Sequence, residues 1–153
     1  LTEIPEDIPL EVTQIYLGNN HITNIGQNSL NNFTELNLLD LHENNISKIH
    51  DDAFAALVNL KLLHLYRNEL EEIPTLPIPT LEFLNIHTNK ISKINDGAFD
   101  ALVNLNKLLD LHGNKIRKIY KGAFDGLLNS SIELYISGNP FECDCKMLWM
   151  QNF

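Results

Sequence analysis

The chain has 153 residues and a mass of 17.5 kDa, with 11 Lys+Arg against 20 Asp+Glu and a formal net charge of −9. At 44% hydrophobic and 20% charged residues it can bury a core, which excludes a disordered polymer. A pI near 5.0 without an extended run of Lys or Arg argues against nucleic acid or an anionic membrane as partner and favours cationic or neutral ones. No apolar stretch approaches the roughly 18 residues of a membrane span, and the start has no basic-then-apolar leader, so the chain reads as soluble and mature, without membrane insertion.

Residues 1–11, with LTEIPEDIP, read as the remnant of a cap at the start of a repeat array. Residues 12–138 hold five to six repeats of the pattern apolar-x-x-apolar-x-apolar-x-x-Asn-x-apolar, as in VTQIYLGNNHI, LNLLDLHENNI, LKLLHLYRNEL and LEFLNIHTNKI, and weaker in NKLLDLHGNKI and SIELYISGNPF. The asparagines are Asn20, Asn44, Asn68, Asn89, Asn114 and Asn139, separated by 24, 24, 21, 25 and 25 residues. Alternation with period two before each asparagine predicts a short strand with leucines on one face. Leu39 and Leu41, Leu63 and Leu65, Leu84 and Ile86, Leu109 and Leu111, and Leu134 and Ile136 are the expected interior. Each asparagine sits where the chain leaves the sheet, and its amide can both donate and accept there, so that column is assigned a structural role.

Ten residues after the asparagine comes Leu30, Phe54, Phe99 or Phe124, mostly in A-F-x-x-L segments that predict a helical turn plugging a phenylalanine into the core. The 21-residue repeat carries EEIPTLPIPTL instead, whose prolines predict an extended back. At the end, residues 139–153 bring Pro140, Phe141, Cys143, Cys145 and Trp149, the expected start of a C-terminal cap. The whole reads as a single domain over 1–153, an α/β repeat solenoid.

These residues resemble the extracellular leucine-rich-repeat family, whose repeats run 20–29 residues. The tail N-P-F-E-C-D-C-K-M-L-W, from Asn139 to Trp149, is similar to the C-terminal cap of Toll-like receptors, Slit-type guidance proteins and variable lymphocyte receptors. The small number of repeats most resembles a variable lymphocyte receptor. The A-F-x-x-L and proline-bearing repeats also resemble small leucine-rich matrix proteoglycans. The resemblance implies a curved array with a parallel sheet on its concave face and short helical or extended segments on the convex face. It also implies that each cap cysteine bonds a downstream cysteine, partners this two-cysteine chain does not contain. A Cys143–Cys145 bond would be strained, since one residue separates them. Secretion or cell-surface display follows from the resemblance, and sequons at Asn32, Asn45 and Asn129 are the glycosylation candidates.

No hydrolase, phosphate-loop, zinc-protease or dinucleotide motif occurs, so the expectation is a non-catalytic module with no cofactor and no metal. The repeat frame places two columns on the concave face: Tyr16, Asp40, His64, Asn85, Asp110 and Tyr135, then Gly18, His42, Tyr66, His87, His112 and Ser137. Glu43, Glu82 and Glu133 flank them, opposite Lys61, Arg67 and Lys107, and Leu38, Leu62, Phe83 and Leu108 add an apolar stripe. The predicted ligand site is therefore acidic and aromatic. Resemblance to variable lymphocyte receptors points to a protein or carbohydrate with cationic groups on a cell or microbial surface. The alternative is a matrix or guidance protein binding collagen, a growth factor or a receptor. The aligned histidines also raise a zinc or copper site or a pH switch.

Overall fold

A computed structural model describes residues 1–128 and 131–142. Among them, three-residue strands form a six-stranded parallel sheet: β1 (Gln14–Tyr16), β3 (Leu38–Asp40), β5 (Leu62–His64), β6 (Phe83–Asn85), β8 (Leu108–Asp110) and β10 (Glu133–Tyr135). Register follows the repeat frame without slip, so Asp40 pairs with His64, His64 with Asn85, and Asn85 with Asp110. Each middle residue points inward, and Leu39, Leu63, Leu84 and Leu109 have no exposed surface. Their partners two residues on, Leu41, Leu65, Ile86 and Leu111, are equally buried.

At the end of each strand the chain crosses itself through the asparagine. The Asn44 Oδ1 accepts from the Ile22 N–H at 2.9 Å, while its Nδ2 donates to the Leu17 and Leu41 carbonyls at 2.8 and 3.1 Å. Asn68, Asn89 and Asn114 repeat this pattern inside the coil. One residue before each asparagine, Asn19, Glu43, Arg67, Thr88, Gly113 and Gly138 all take positive φ, from 48 to 66°. Glycine at 113 and 138 suits that corner, and Thr88, β-branched at φ 52°, is the costliest occupant.

A second edge carries two-residue parallel ladders, β2 (Asn24–Ile25) with β4 (Lys48–Ile49), and β7 (Lys93–Ile94) with β9 (Lys118–Ile119). The closing bonds run from the residue after each strand, His50 N–H to the Ile25 carbonyl and Tyr120 N–H to the Ile94 carbonyl. In the 21-residue repeat that position is Pro74, which has no N–H, so the edge is interrupted there.

The A-F-x-x-L segments on the convex face form single turns. Among the described residues the one helical element is a 3-10 turn, η1 (Asp125–Leu127). Elsewhere isolated turns suffice, with Leu57 N–H donating to the Phe54 carbonyl at 3.1 Å and Leu102 N–H to the Phe99 carbonyl at 2.9 Å. These turn bonds do not extend into a continuous run, and segments this short do not repay helix nucleation. Phe54, Phe99 and Phe124 still fill the core, and the last two stack with parallel rings 5.7 Å apart.

Candidate functional site

The backbone ladder continues past the strands, which decides how the concave side chains meet. Glu43, Arg67 and Thr88 donate N–H bonds to the carbonyls of Tyr66, His87 and His112 at 2.9–3.0 Å. Residues 42, 66, 87 and 112 are thereby held at the spacing of the sheet, about 4.8 Å. Their rings stack in one row: His42 on Tyr66 at 4.8 Å, Tyr66 on His87 at 4.7 Å, and His87 on His112 at 4.3 Å, all within 18° of parallel. Gly18 occupies the next place in the row, and a Cβ there would lie 2.2 Å from the His42 ring. Its lack of a side chain makes the room in which His42 lies.

Carboxylates set the ring angles. Asp40 Oδ1 accepts from the His42 ring at 2.6 Å and from its backbone N–H at 3.1 Å. Asp110 does the same for His112, at 2.8 and 3.1 Å. With Nδ1 donating to Asp40, His42 Nε2 accepts from Asn19 Nδ2 at 2.9 Å. In the intervening repeat Asn85 Oδ1 accepts the His87 N–H at 3.2 Å, and the His87 ring bonds the Thr88 hydroxyl at 2.8 Å. His64 takes this position in its own repeat. Its ring lies between Tyr66, edge-on at 6.0 Å, and Phe83, at 5.0 Å, and its Nδ1 is buried without a hydrogen-bond partner.

The structure thus gathers His42, Tyr66, His87 and His112 into a ribbon with Asp40, His64, Asn85 and Asp110 along its side. Tyr16 and Tyr135 lie on the outermost strands and are exposed, each with its hydroxyl bonded two residues back, to Gln14 and Glu133. The acidity expected of the patch is largely internal. The Asp40 and Asp110 side chains are only 16% and 13% exposed and face histidines. Glu43 pairs with Arg67, and Glu82 with both Lys61 and Lys107. The Lys107 bond holds the Glu82 carboxyl below the usual carboxylate range. Burial, with Asp40 and Glu43 nearby, raises the Tyr66 phenol. Among the described residues no three His, Cys, Asp or Glu side chains are grouped to hold a metal, and the stacked imidazoles do not converge.

Two histidines resist protonation. Burial lowers the His64 pKa, with Asp40 opposing and His42 adding to the shift. Burial also lowers His87, followed by repulsion from His112, with Asp110 opposing and Arg67 adding. Below the ordinary histidine value of about 6.5 the unfolded chain therefore binds more protons than the folded one. This stability is complete above that value and is lost as pH falls through it. The melting temperature should decline from about pH 7 to pH 5, and His87→Gln should flatten the decline. A pH-independent melting temperature in the parent chain would contradict the ring environment described.

The repeat frame put Gly18 at the head of the ring column, but it did not identify Asn19 and Thr88 as ring partners. That takes the left-handed corner, which turns those side chains toward the rings. Of the glycosylation candidates, Asn32 and Asn45 are exposed, while Asn129 lies outside the described residues, as do Cys143 and Cys145.

A family model for the leucine rich repeat matches residues 11–70 and 79–141. The chain belongs to the leucine-rich-repeat family. Over 85 residues, 54% of this chain, it is 41% identical to keratocan of Mus musculus, and it is 40% identical over the same length to keratocan of Bos taurus. In each case the match covers 24% of the relative, so the leucine-rich-repeat chain spans about a quarter of the length of these curated relatives. No helix among its described residues is long and apolar enough to cross a membrane.

Proposed function

We propose that this chain is the repeat portion of an extracellular matrix-type binding protein of the small leucine-rich proteoglycan kind, and that it takes a protein ligand on the concave ring ribbon. The likeness to keratocan supports the matrix setting. The ribbon supports the site, because four stacked rings form a rigid, amphipathic strip that loses little entropy when covered. The work this strip is suited to is recognition. Ring edges offer C–H and N–H groups to carbonyl oxygens, while Tyr16, Tyr135 and the Glu43–Arg67 pair supply a polar rim. Antigen or microbial-surface recognition of the variable-lymphocyte-receptor kind is a second reading, resting on the tail motif from Asn139 to Trp149.

Immobilised fibrillar collagen tests the first reading. Binding should be saturable, and Tyr66→Ala should weaken it by roughly tenfold or more, the loss of a buried aromatic anchor. Absence of collagen binding, or binding unchanged by Tyr66→Ala with folding verified, would count against it, and binding to bacterial surfaces instead would favour the second reading.

A further inference from the structure

Charge is unevenly placed along the chain. No Lys or Arg precedes Lys48, whereas residues 90–121 hold seven of them against Asp96, Asp100 and Asp110. Repeat stacking concentrates this excess on the second edge. Lys93 and Lys118 are 25 residues apart in sequence but are register partners in the β7–β9 ladder. The same ladder continues through Lys115 N–H to the Ile91 carbonyl and Arg117 N–H to the Ser92 carbonyl, at 2.9 and 3.0 Å. Ile94 and Ile119 point into the core, so the lysines beside them point outward. Like charges directly opposite on neighbouring strands destabilise a sheet.

Nearby acids do not relieve this. Glu69 pairs with Lys90 and Glu142 with Arg117, while Asp96 accepts the Gly122 N–H at 2.9 Å. Among the described residues Lys93, Lys115 and Lys118 are exposed and have no ion pair. The edge runs on through Tyr120, 45% exposed, to Lys121. The cluster is a strip two repeats wide, about 5 Å across the strands and about 10 Å from Lys115 to Lys118 along one of them.

We propose that this edge binds a linear sulfated polysaccharide, with Lys93, Lys115 and Lys118 on its sulfates and the Tyr120 ring against a sugar face. An elongated, flexible polyanion fits a strip of separated cations, and sulfate esters stay charged at all relevant pH. A net charge of −9 repels polyanions from the rest of the chain, so attraction must be local. The choice of polysaccharide over nucleic acid rests on the matrix reading above. The strip itself does not, and it lies on a different face from the ring ribbon.

Heparin is the probe. The chain should bind it at physiological ionic strength and release it as salt rises. Lys118→Glu should weaken binding by roughly tenfold, since it replaces an attraction by a repulsion. The same change sets a Glu opposite Lys93, so the melting temperature should hold or rise, which removes misfolding as an explanation. Tyr66→Ala on the concave face should leave heparin affinity unchanged even where it abolishes collagen binding, so the two readings can fail separately. No retention on heparin at low salt, or an unaltered affinity in Lys118→Glu, would overturn the proposal. Equal competition by desulfated heparin, or by single-stranded DNA of matched charge, would overturn the assignment to sulfated polysaccharide.

Discussion

Replacing Asn68 with Ala is expected to lower the unfolding free energy by about 2–4 kcal/mol, measured by urea denaturation. The asparagines form a chain of bonds through the coil. The Leu41 carbonyl accepts from Asn44 and Asn68, the Leu65 carbonyl from Asn68 and Asn89, and the Ile86 carbonyl from Asn89 and Asn114. Ala at 68 leaves each carbonyl one partner but leaves the Ile46 N–H, fully buried, with none. A buried donor so stranded costs about 1–3 kcal/mol, and the lost packing adds to it. Asn68→Asp should be at least as damaging, because a carboxylate accepts from Ile46 but cannot donate to the carbonyls and buries a charge. Asn20 is only half-buried, and its Nδ2 donates to the Leu17 and Gly18 carbonyls of its own loop. Asn20→Ala should therefore cost less than about 1 kcal/mol. Equal losses at 20 and 68 would mean that burial of the ladder does not govern its energy.

That ladder and the leucine columns were legible because a solenoid writes its contacts into a period. A residue meets its counterpart one repeat on, so a list of equivalent letters is already a contact map. By the same rule the concave columns could be written down before any coordinates, and rings at positions 42, 66, 87 and 112 lie in line for that reason. Direction was not legible. Nothing in the letters D-L-H says that Asp40 turns back to the histidine two residues on instead of facing solvent. Charge placement was legible in part. Lys115, Arg117, Lys118 and Lys121 stand close together in the letters, but Lys93 joins them only through the register, and the negative total conceals the edge. The A-F-x-x-L segments were legible as single turns, since in so short a connection this apolar spacing suits one turn and not a helix.

Asp110→Ala is expected to lower stability by about 1–3 kcal/mol, because it leaves the His112 backbone N–H and ring without their acceptor. A substitution on a freely exposed strand face would cost less than about 0.5 kcal/mol, so the measurement separates a buried clamp from a surface charge. Asp110→Asn should fall within that smaller range. The chain contains its own precedent in Asn85, whose Oδ1 already accepts the N–H of His87 in the adjoining repeat. Asn keeps the acceptor and removes only the charge. Combining Asp40→Asn with Asp110→Asn therefore strips the two carboxylates from under the ribbon while leaving the rings held. If ligand binding on the concave face survives this pair but fails in Asp40→Ala with Asp110→Ala, the carboxylates act by fixing His42 and His112. If both pairs weaken binding alike, with equal folded fractions, the negative charge itself is what the ligand meets, and the internal pairing described here does not screen it.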